Sequence, residues 1–197
     1  MRALAYPFAG VSALRRWWHL WYFKKIDALT HREIRVGRNA CFHVPVRSNG
    51  RGRIIIGEDN TFGYPLSHCL GSGEILVQAR TEDAEIVIGS NNIINNNSVI
   101  GCTSRVVIGN DCLIGDSVAI YDADFHNLSP ERRRDQQFPT APIILGNNIW
   151  IGSRAMILKG VTVGDHSVIG AMSIVTKSIP PRTLVAGNPA RIVRELA

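Results

Sequence analysis

The residue best suited to acid–base chemistry is His126. It stands in YDADFHNLSPERRRDQQFPTAP, residues 121–142, with Asp122 and Asp124 before it and Arg132, Arg133 and Arg134 after it. An imidazole changes charge near neutrality, so one histidine on a loop can take a proton from an acceptor bound beside it. Asp122 or Asp124 is a candidate to orient the ring. No GxSxG elbow, Walker loop, HExxH or paired-glutamate signature accompanies the histidine, and no Ser–His–Asp order is present. The expected chemistry is activation of a bound nucleophile, without a covalent enzyme intermediate. A lone histidine is more often structural; what singles this one out is the long segment that carries it.

That segment interrupts a rhythm. From Leu145 an aliphatic residue recurs every six positions, at Ile151, Ile157, Val163, Ile169 and Val175, and glycine follows at 146, 152, 164 and 170. Ala155, Val161, Ser167 and Ser173 stand four places on. An α-helix of 3.6 residues per turn drifts out of phase with a period of six, and a flat strand needs a period of two. Short strands joined by sharp corners fit: the aliphatic residue points inward and the next lies where a Cβ is unwelcome. Three strands close a coil of 18 residues, so 145, 163 and 181 should begin successive coils, and stacked coils bury an aliphatic column.

Upstream the same rhythm appears at Val36-Gly37, Ile56-Gly57, Ile88-Gly89, Ile94, Ile100-Gly101, Ile108-Gly109, Ile114-Gly115 and Ile120. The 32 residues from Ile56 to Ile88 imply a protruding loop within 63–74, which holds His68, taken as a surface histidine. Two extra residues between Ile88 and Ile108 belong in a corner among Cys102–Arg105. Asn91, Asn92, Asn95, Asn96 and Asn97 suit corners because Asn tolerates positive φ, and they could instead stack as a ladder. After Ile120 the next inward residue is displaced to Leu145, leaving 19 surplus residues around His126. Long loops on rigid scaffolds commonly carry function.

The ends differ from the middle. Residues 1–33 form an aromatic and basic helical segment, with Trp17, Trp18, Leu20, Trp21, Tyr22 and Phe23 between Arg15-Arg16 and Lys24-Lys25. It either plugs the first coil or lies on an anionic membrane surface, and the plug is favoured. Residues 34–186 are the solenoid. Pro180 and Pro181 break its rhythm, and residues 187–197 are expected to form a short capping helix with Arg191 and Arg194 on one face.

The net charge of +6 is uneven: residues 1–53 hold 11 Lys/Arg against 2 Asp/Glu, and residues 54–197 hold 11 against 14. A basic end favours an anionic partner. No apolar run is long enough to span a bilayer and no signal-peptide pattern opens the chain. A cytoplasmic protein is expected, with peripheral attachment to the inner face of the membrane as a variant. Cys41, Cys69, Cys102 and Cys112 form no CxxC pair; Cys102 and Cys112 should pack as small apolar groups.

With these motifs the chain resembles the hexapeptide-repeat acyltransferases, in particular the galactoside, maltose and xenobiotic acetyltransferase group and the sugar O-acetyltransferases of polysaccharide biosynthesis. DADFHNLSPERR, IGNNIWIGSRAMILKGVTVGDHSVIGAMSIVTKSIPP and AGNPARIVREL carry the resemblance, over about residues 86–197. It implies an all-β solenoid, a left-handed parallel β-helix; the left hand comes from the family, since spacing sets only three sides. It implies acetyl-CoA as co-substrate, no metal, and a homotrimer with sites between subunits. His126 matches the catalytic histidine and Asn95 an asparagine on the acceptor side. Trp150, Ser153, Ala171, Thr176, Lys177, Arg191 and Arg194 match coenzyme contacts. Ser153 would help stabilise the oxyanion, and Lys177, Arg191 and Arg194 the coenzyme phosphates. The family's histidine–proline step is His126-Asn127 here, and its N-terminal maltose-type segment is replaced by the aromatic-basic stretch.

The activity so implied is acetyl transfer to a hydroxyl of a sugar or glycan precursor. N-acetylation of an amino sugar is the near alternative, because an amine and a hydroxyl acceptor would look alike in these motifs. A non-catalytic β-helix binding protein is a further one, which intact Asn95 and His126 argue against. A γ-type carbonic anhydrase on the same coil needs three histidine ligands, and His126 and His166 lie 40 apart with no second histidine close to either. No nucleic-acid partner is expected.

Overall fold

A period of six becomes three short strands per turn. The computed structural model describes residues 9–65 and 72–197, and there the chain winds through three sheets of parallel strands. The first face stacks Glu33–Val36, Arg53–Ile56, Glu85–Ile88, Arg105–Ile108, Ile143–Leu145 and Thr162–Val163. The second runs from Cys41–Phe42 through Thr61–Phe62, Ile93–Ile94, Leu113–Ile114, Trp150–Ile151 and Val168–Ile169 to Thr183–Ala186. The third runs from Val46–Arg47 through Ile75–Ala79, Val99–Cys102, Ala119–Tyr121 and Met156–Leu158 to Ile174–Val175. This is the left-handed parallel β-helix that the motifs imply.

Register keeps like residues above one another. Ile88 lies between Ile56 and Ile108, and Ile157 between Ile120 and Val175. Leu145, Ile151, Ile157, Val163, Ile169 and Val175 are all buried, as are Ala155, Val161, Ser167 and Ser173. Glycine after the inward residue answers to close approach of coils: a Cβ on Gly109 would lie 2.4 Å from the carbonyl oxygen of Gly146. Positive φ falls two places later, at Asn91, Asn97, Asp111, Ser117, Asn148, Arg154, His166 and Met172. Of the five corner asparagines, then, only Asn91 and Asn97 use the left-handed region.

Asn92 belongs to a ladder instead. Buried Asn60 accepts from the Asn92 backbone N–H at 3.0 Å, and Asn92 Oδ1 accepts from the Cys112 N–H at 2.8 Å. Their Nδ2 groups donate to the Gly89 and Gly109 carbonyls at 2.7 and 3.0 Å. Such pairing meets the requirement that buried polar groups be hydrogen-bonded. Cys102 and Cys112 are fully buried in the core, where desolvation pushes both thiols up, and each also donates at 3.4 Å, Cys102 to the Glu85 carbonyl and Asp122 Oδ2, Cys112 to the Asn110 and Gly146 carbonyls.

Insertions sit at corners. Thr103 and Ser104 are the two extra residues between Val99–Cys102 and Arg105–Ile108. The loop expected within 63–74 leaves after Thr61–Phe62 and returns at Ile75–Ala79; His68 and Cys69 lie outside the described residues. Asn96 clips its two ends, accepting from the Tyr64 N–H at 2.7 Å and donating to the Ser72 carbonyl at 3.0 Å.

At the N-terminal end, helix α1 (Ala9–Lys25) closes the first coil, followed by a 3-10 turn, Asp27–Thr30. Phe23 is fully buried and meets Phe42 edge-on at 5.6 Å, and Phe42 meets Phe62 at 4.7 Å. At the other end two expectations fail. The inward residue expected at Pro181 arrives two positions early, as Ile179 bridged to Val163, because the Pro180-Pro181 pair cannot continue the corner. Residues 187–197 form no helix: Arg191–Glu195 is a strand, antiparallel to Thr183–Ala186. Gly187, at φ 101°, reverses the chain, and Arg191, β-branched Ile192, Arg194 and Glu195 pair with an edge that would otherwise lie open, Val193 falling at a bulge.

Candidate active site

The loop of residues 121–142 is held at its neck. Ala123 bridges Thr140, the Ala141 N–H donates to the Asp122 carbonyl at 2.9 Å, and Asp124 N–H donates to the Pro139 carbonyl at 3.1 Å. Lys159 reaches across from the next coil to Asp124 at 2.6 Å. Aromatic rings fill the neck: Phe125 packs on Tyr121 at 5.6 Å and on Phe138 at 6.0 Å, with the Arg80 guanidinium 4.5 Å over the Phe125 ring. Phe125, immediately before His126, has φ 61°. A bulky residue in the left-handed region persists only where its surroundings over-determine it.

His126 is exposed, and its ring is oriented from within the loop. Nδ1 lies 3.2 Å from the Arg133 carbonyl oxygen. A carbonyl can only accept, so Nδ1 carries the proton and Nε2 of the neutral ring keeps its lone pair for an acceptor's proton. The carboxylates expected to orient the ring are engaged elsewhere. Asp122 is fully buried; its Oδ1 accepts from the Thr103 N–H at 2.8 Å and Oγ1 at 3.1 Å, and its Oδ2 from the Ser104 N–H at 2.7 Å. It thus caps the two-residue insertion of the preceding coil. Asp124 is paired with Lys159, and its Oδ2 is buried with no partner among the described residues. Both depart from the sequence expectation for one reason: a coil packs a residue against the adjoining coils, 18 or 19 positions back for Asp122 and 35 on for Asp124, more tightly than against its near neighbours in sequence.

The other site residues divide between two edges of the prism. Between the second and third faces, Asn95 follows Ile93–Ile94, Ser153 follows Trp150–Ile151 and Ala171 follows Val168–Ile169. They stack closely: a Cβ on Gly115 would lie 2.6 Å from the Ser153 nitrogen, and one on Gly152 2.4 Å from the Ala171 nitrogen. Asn95 Oδ1 accepts from the Asn96 N–H at 2.9 Å. Between the third and first faces, the His126 loop leaves after Ala119–Tyr121, and Thr176 and Lys177 follow Ile174–Val175. Among the described residues no hydrogen bond joins His126 to Asn95 or Ser153. Lys177 and Arg191 line one cleft at the C-terminal end with Val175, Val185 and Ala190; Arg194 is exposed on the same terminal strand.

The sequence reading missed Ile93 and Leu113. Register sets them in one outward row with Trp150, and they are 40%, 49% and 57% exposed. A large apolar residue does stand immediately before each inward isoleucine, but Ile55, Val87, Val107, Ile144 and Val168 occupy the same position in other repeats, so spacing alone did not single these two out. Among the described residues no three His, Cys, Asp or Glu side chains gather as a metal site.

Comparison with known proteins agrees with this architecture. The six-repeat bacterial transferase hexapeptide family matches residues 142–177. The galactoside O-acetyltransferase of Escherichia coli K12 is 44% identical over 113 residues, 57% of this chain and 55% of that protein. The chain spans about half the length of the first curated relatives it matches. A Staphylococcus aureus (strain COL) protein, provisionally named an acetyltransferase, is 31% identical over 181 residues, 89% of this chain and 87% of its own length. Among solved structures, a hexapeptide-repeat acetyltransferase of Vibrio cholerae O1 biovar eltor, complexed with acetyl coenzyme A, superposes with a TM-score of 0.55 at 25% identity, over 100% of this chain and 93% of its own. With the coil, the corner motifs and a relative matched over nearly its whole length, the chain belongs to the hexapeptide-repeat acyltransferase family.

Proposed function

We propose that this protein transfers the acetyl group of acetyl-CoA directly to a hydroxyl of a sugar or glycan precursor, with His126 as general base. The observation that carries the proposal is the tautomer set by Arg133, which leaves Nε2 as the basic nitrogen on a braced, exposed loop. Nε2 takes the hydroxyl proton as the acceptor oxygen attacks the thioester carbonyl. The tetrahedral intermediate then collapses, the C–S bond breaks, and the imidazolium returns its proton to the coenzyme thiolate. Ser153, on the edge between the second and third faces, would donate to the oxyanion. Asn95, with its amide nitrogen free of partners among the described residues, would hold the acceptor. Lys177 and Arg191, in one cleft, would meet coenzyme phosphates, with Arg194 on the same strand and Ala171, Thr176 and Trp150 along the pantetheine path.

The division between two edges gives this reading its assembly. A groove between prisms is completed when the edge of one copy carrying Asn95, Ser153 and Ala171 faces the edge of the next carrying the His126 loop, Thr176 and Lys177. Repeated around an axis, such a head-to-tail contact closes a ring, and the family resemblance implies three copies. The exposed row of Ile93, Leu113 and Trp150 would be covered in that contact.

The test is acetyl-CoA consumption across free sugars, nucleotide sugars and glycan fragments, with amino sugars as the competing class. His126→Ala is expected to keep its fold and coenzyme affinity and to lose roughly 10²–10⁴-fold in turnover. Near-wild-type turnover in the folded variant removes His126 from this role, and transfer confined to amines replaces the hydroxyl acceptor with an amine.

A further inference from the structure

Helix α1 has two apolar sides, and the plug uses only one. Phe23, with Leu20 beside it, faces the first coil. Leu14, Trp17, Trp18 and Trp21 follow the spacing i, i+3, i+4, i+7, which lines one side of a helix, and that side points away from Phe23. Leu14, Trp17 and Trp18 are 67%, 57% and 51% exposed. The indoles form one cluster, Trp21 stacking on Trp18 at 5.2 Å and on Trp17 at 6.4 Å. Burying one side of a plug does not require a tryptophan cluster on the other, and contiguous exposed apolar patches of this kind mark contact surfaces.

Charge selects the partner. The helix holds Arg15, Arg16, Lys24 and Lys25 and no acidic residue. The two acidic side chains among the first 53 residues are used internally: Asp27 accepts from the Ser48 N–H at 3.0 Å, and Glu33 pairs with Arg53 at 2.7 Å and with Arg35. Indoles beside lysine and arginine are the composition of a helix that lies in a membrane interface, apolar rings in the acyl boundary and cations among anionic headgroups. No described helix is long and apolar enough to cross a bilayer, so the fit is to lying on one.

Position completes the argument. Helix α1 contacts the first strand of all three faces, Glu33–Val36, Cys41–Phe42 and Val46–Arg47, so it lies across the mouth of the solenoid. Its outer side therefore faces along the solenoid axis. We propose that this protein docks on an anionic phospholipid surface through Leu14, Trp17, Trp18 and Trp21, with Lys24 and Lys25 meeting the headgroups. The coil that emits the His126 loop lies three strand steps along the third face, about 14 Å above the first coil at ~4.8 Å per step. With the ~10 Å thickness of helix α1 beneath the first coil, that loop stands about 25 Å from the surface, a height that a glycan carried on a membrane lipid would reach several sugars from its anchor. This last step rests on the proposed transfer reaction, whereas docking itself does not. Copies in a ring would turn all their α1 stripes toward the same surface and bind with avidity.

The experiment is co-sedimentation of the full-length protein with phosphatidylglycerol-rich vesicles and with pure phosphatidylcholine vesicles, at low and high salt, together with tryptophan emission. Docking predicts binding to the anionic vesicles, a blue shift, and release by salt. The pair Trp17→Ser and Trp18→Ser, at exposed positions, should lower partitioning by about tenfold or more with the melting curve unchanged. The pair Lys24→Glu and Lys25→Glu should lower it by at least a similar factor, since each basic residue near an anionic surface is worth about fivefold. A folded protein that ignores anionic vesicles at low salt overturns the proposal and leaves the stripe as a protein-contact face. Equal binding by the tryptophan variant, or equal binding to neutral vesicles, overturns it as well. Each readout is independent of acetyl transfer, so loss of activity with intact docking counts only against the reaction.

Discussion

Asp122→Asn separates two roles that a carboxylate four residues before the proposed general base can have. Asp122 caps the corner at Thr103 and Ser104 through two backbone N–H groups at 2.8 and 2.7 Å and one hydroxyl at 3.1 Å, with no solvent contact. Asparagine keeps the shape and one acceptor oxygen, but its amide nitrogen would face an N–H donor. One or two charge-assisted hydrogen bonds are lost, at about 1.5–3 kcal/mol each, while the cost of burying a charge is relieved. The expected net loss is about 2–4 kcal/mol, or roughly 5–15 °C in melting temperature for a chain of this size. Well below the new melting point, turnover per folded enzyme should remain within about threefold of wild type, because Arg133 rather than Asp122 sets the tautomer of His126. The assays are thermal melting by circular dichroism and acetyl-CoA consumption at a low temperature. A variant that melts like the wild type but loses ~10⁴-fold in turnover, as when a carboxylate orients a catalytic imidazole, would refute the assignment.

Two further measurements probe the scaffold. Ile157 has no exposed surface and sits between Ile120 and Val175, so Ile157→Ala should cost about 2–5 kcal/mol; an unchanged melting curve would sink the register. Acid should loosen the N-terminal cap. His31 is half-buried between the Asp27 carbonyl at 2.8 Å and Ser48 Oγ at 2.7 Å, and burial holds its pKa below the usual imidazole value; burial does the same at His19 and His43. The folded state therefore binds fewer protons than the unfolded chain just below pH ~6.5, and stability falls as pH drops from about 7 toward the depressed values. Amide exchange at Cys41–Phe42 and Val46–Arg47 should accelerate relative to the central coils between about pH 7 and 5, and His31→Gln should weaken that dependence; protection that rises with acid would contradict it.

The inner column was legible because its cause is local. Six residues carry the chain from one inward position to the next, so aliphatic spacing alone predicts Leu145 through Val175 as core, and each surplus in the count marks an excursion, at 103–104 and at 121–142. What escaped has its cause one coil or more away. The terminal strand Arg191–Glu195 forms because Thr183–Ala186 offers an unpaired edge, which composition does not encode. Asp122 and Asn96 look like active-site neighbours in sequence; in space one caps the corner of an earlier coil and the other clips a distant loop.

The same geometry explains why the candidate site is recognisable as a set of residues and yet absent as an assembled pocket in one chain. A solenoid corner fixes each side chain to one edge, and no rotamer carries Asn95 from the edge between the second and third faces to the edge that emits the His126 loop. The unfilled capacity on those edges points the same way. The Asn95 amide nitrogen has no partner among the described residues, and the row Ile93, Leu113 and Trp150 stays open to solvent. A groove between two copies would bring the edges together and cover the row. Dilution to monomer should then abolish turnover while leaving each coil folded, and full activity of an isolated folded monomer would break the link between the divided edges and the reaction.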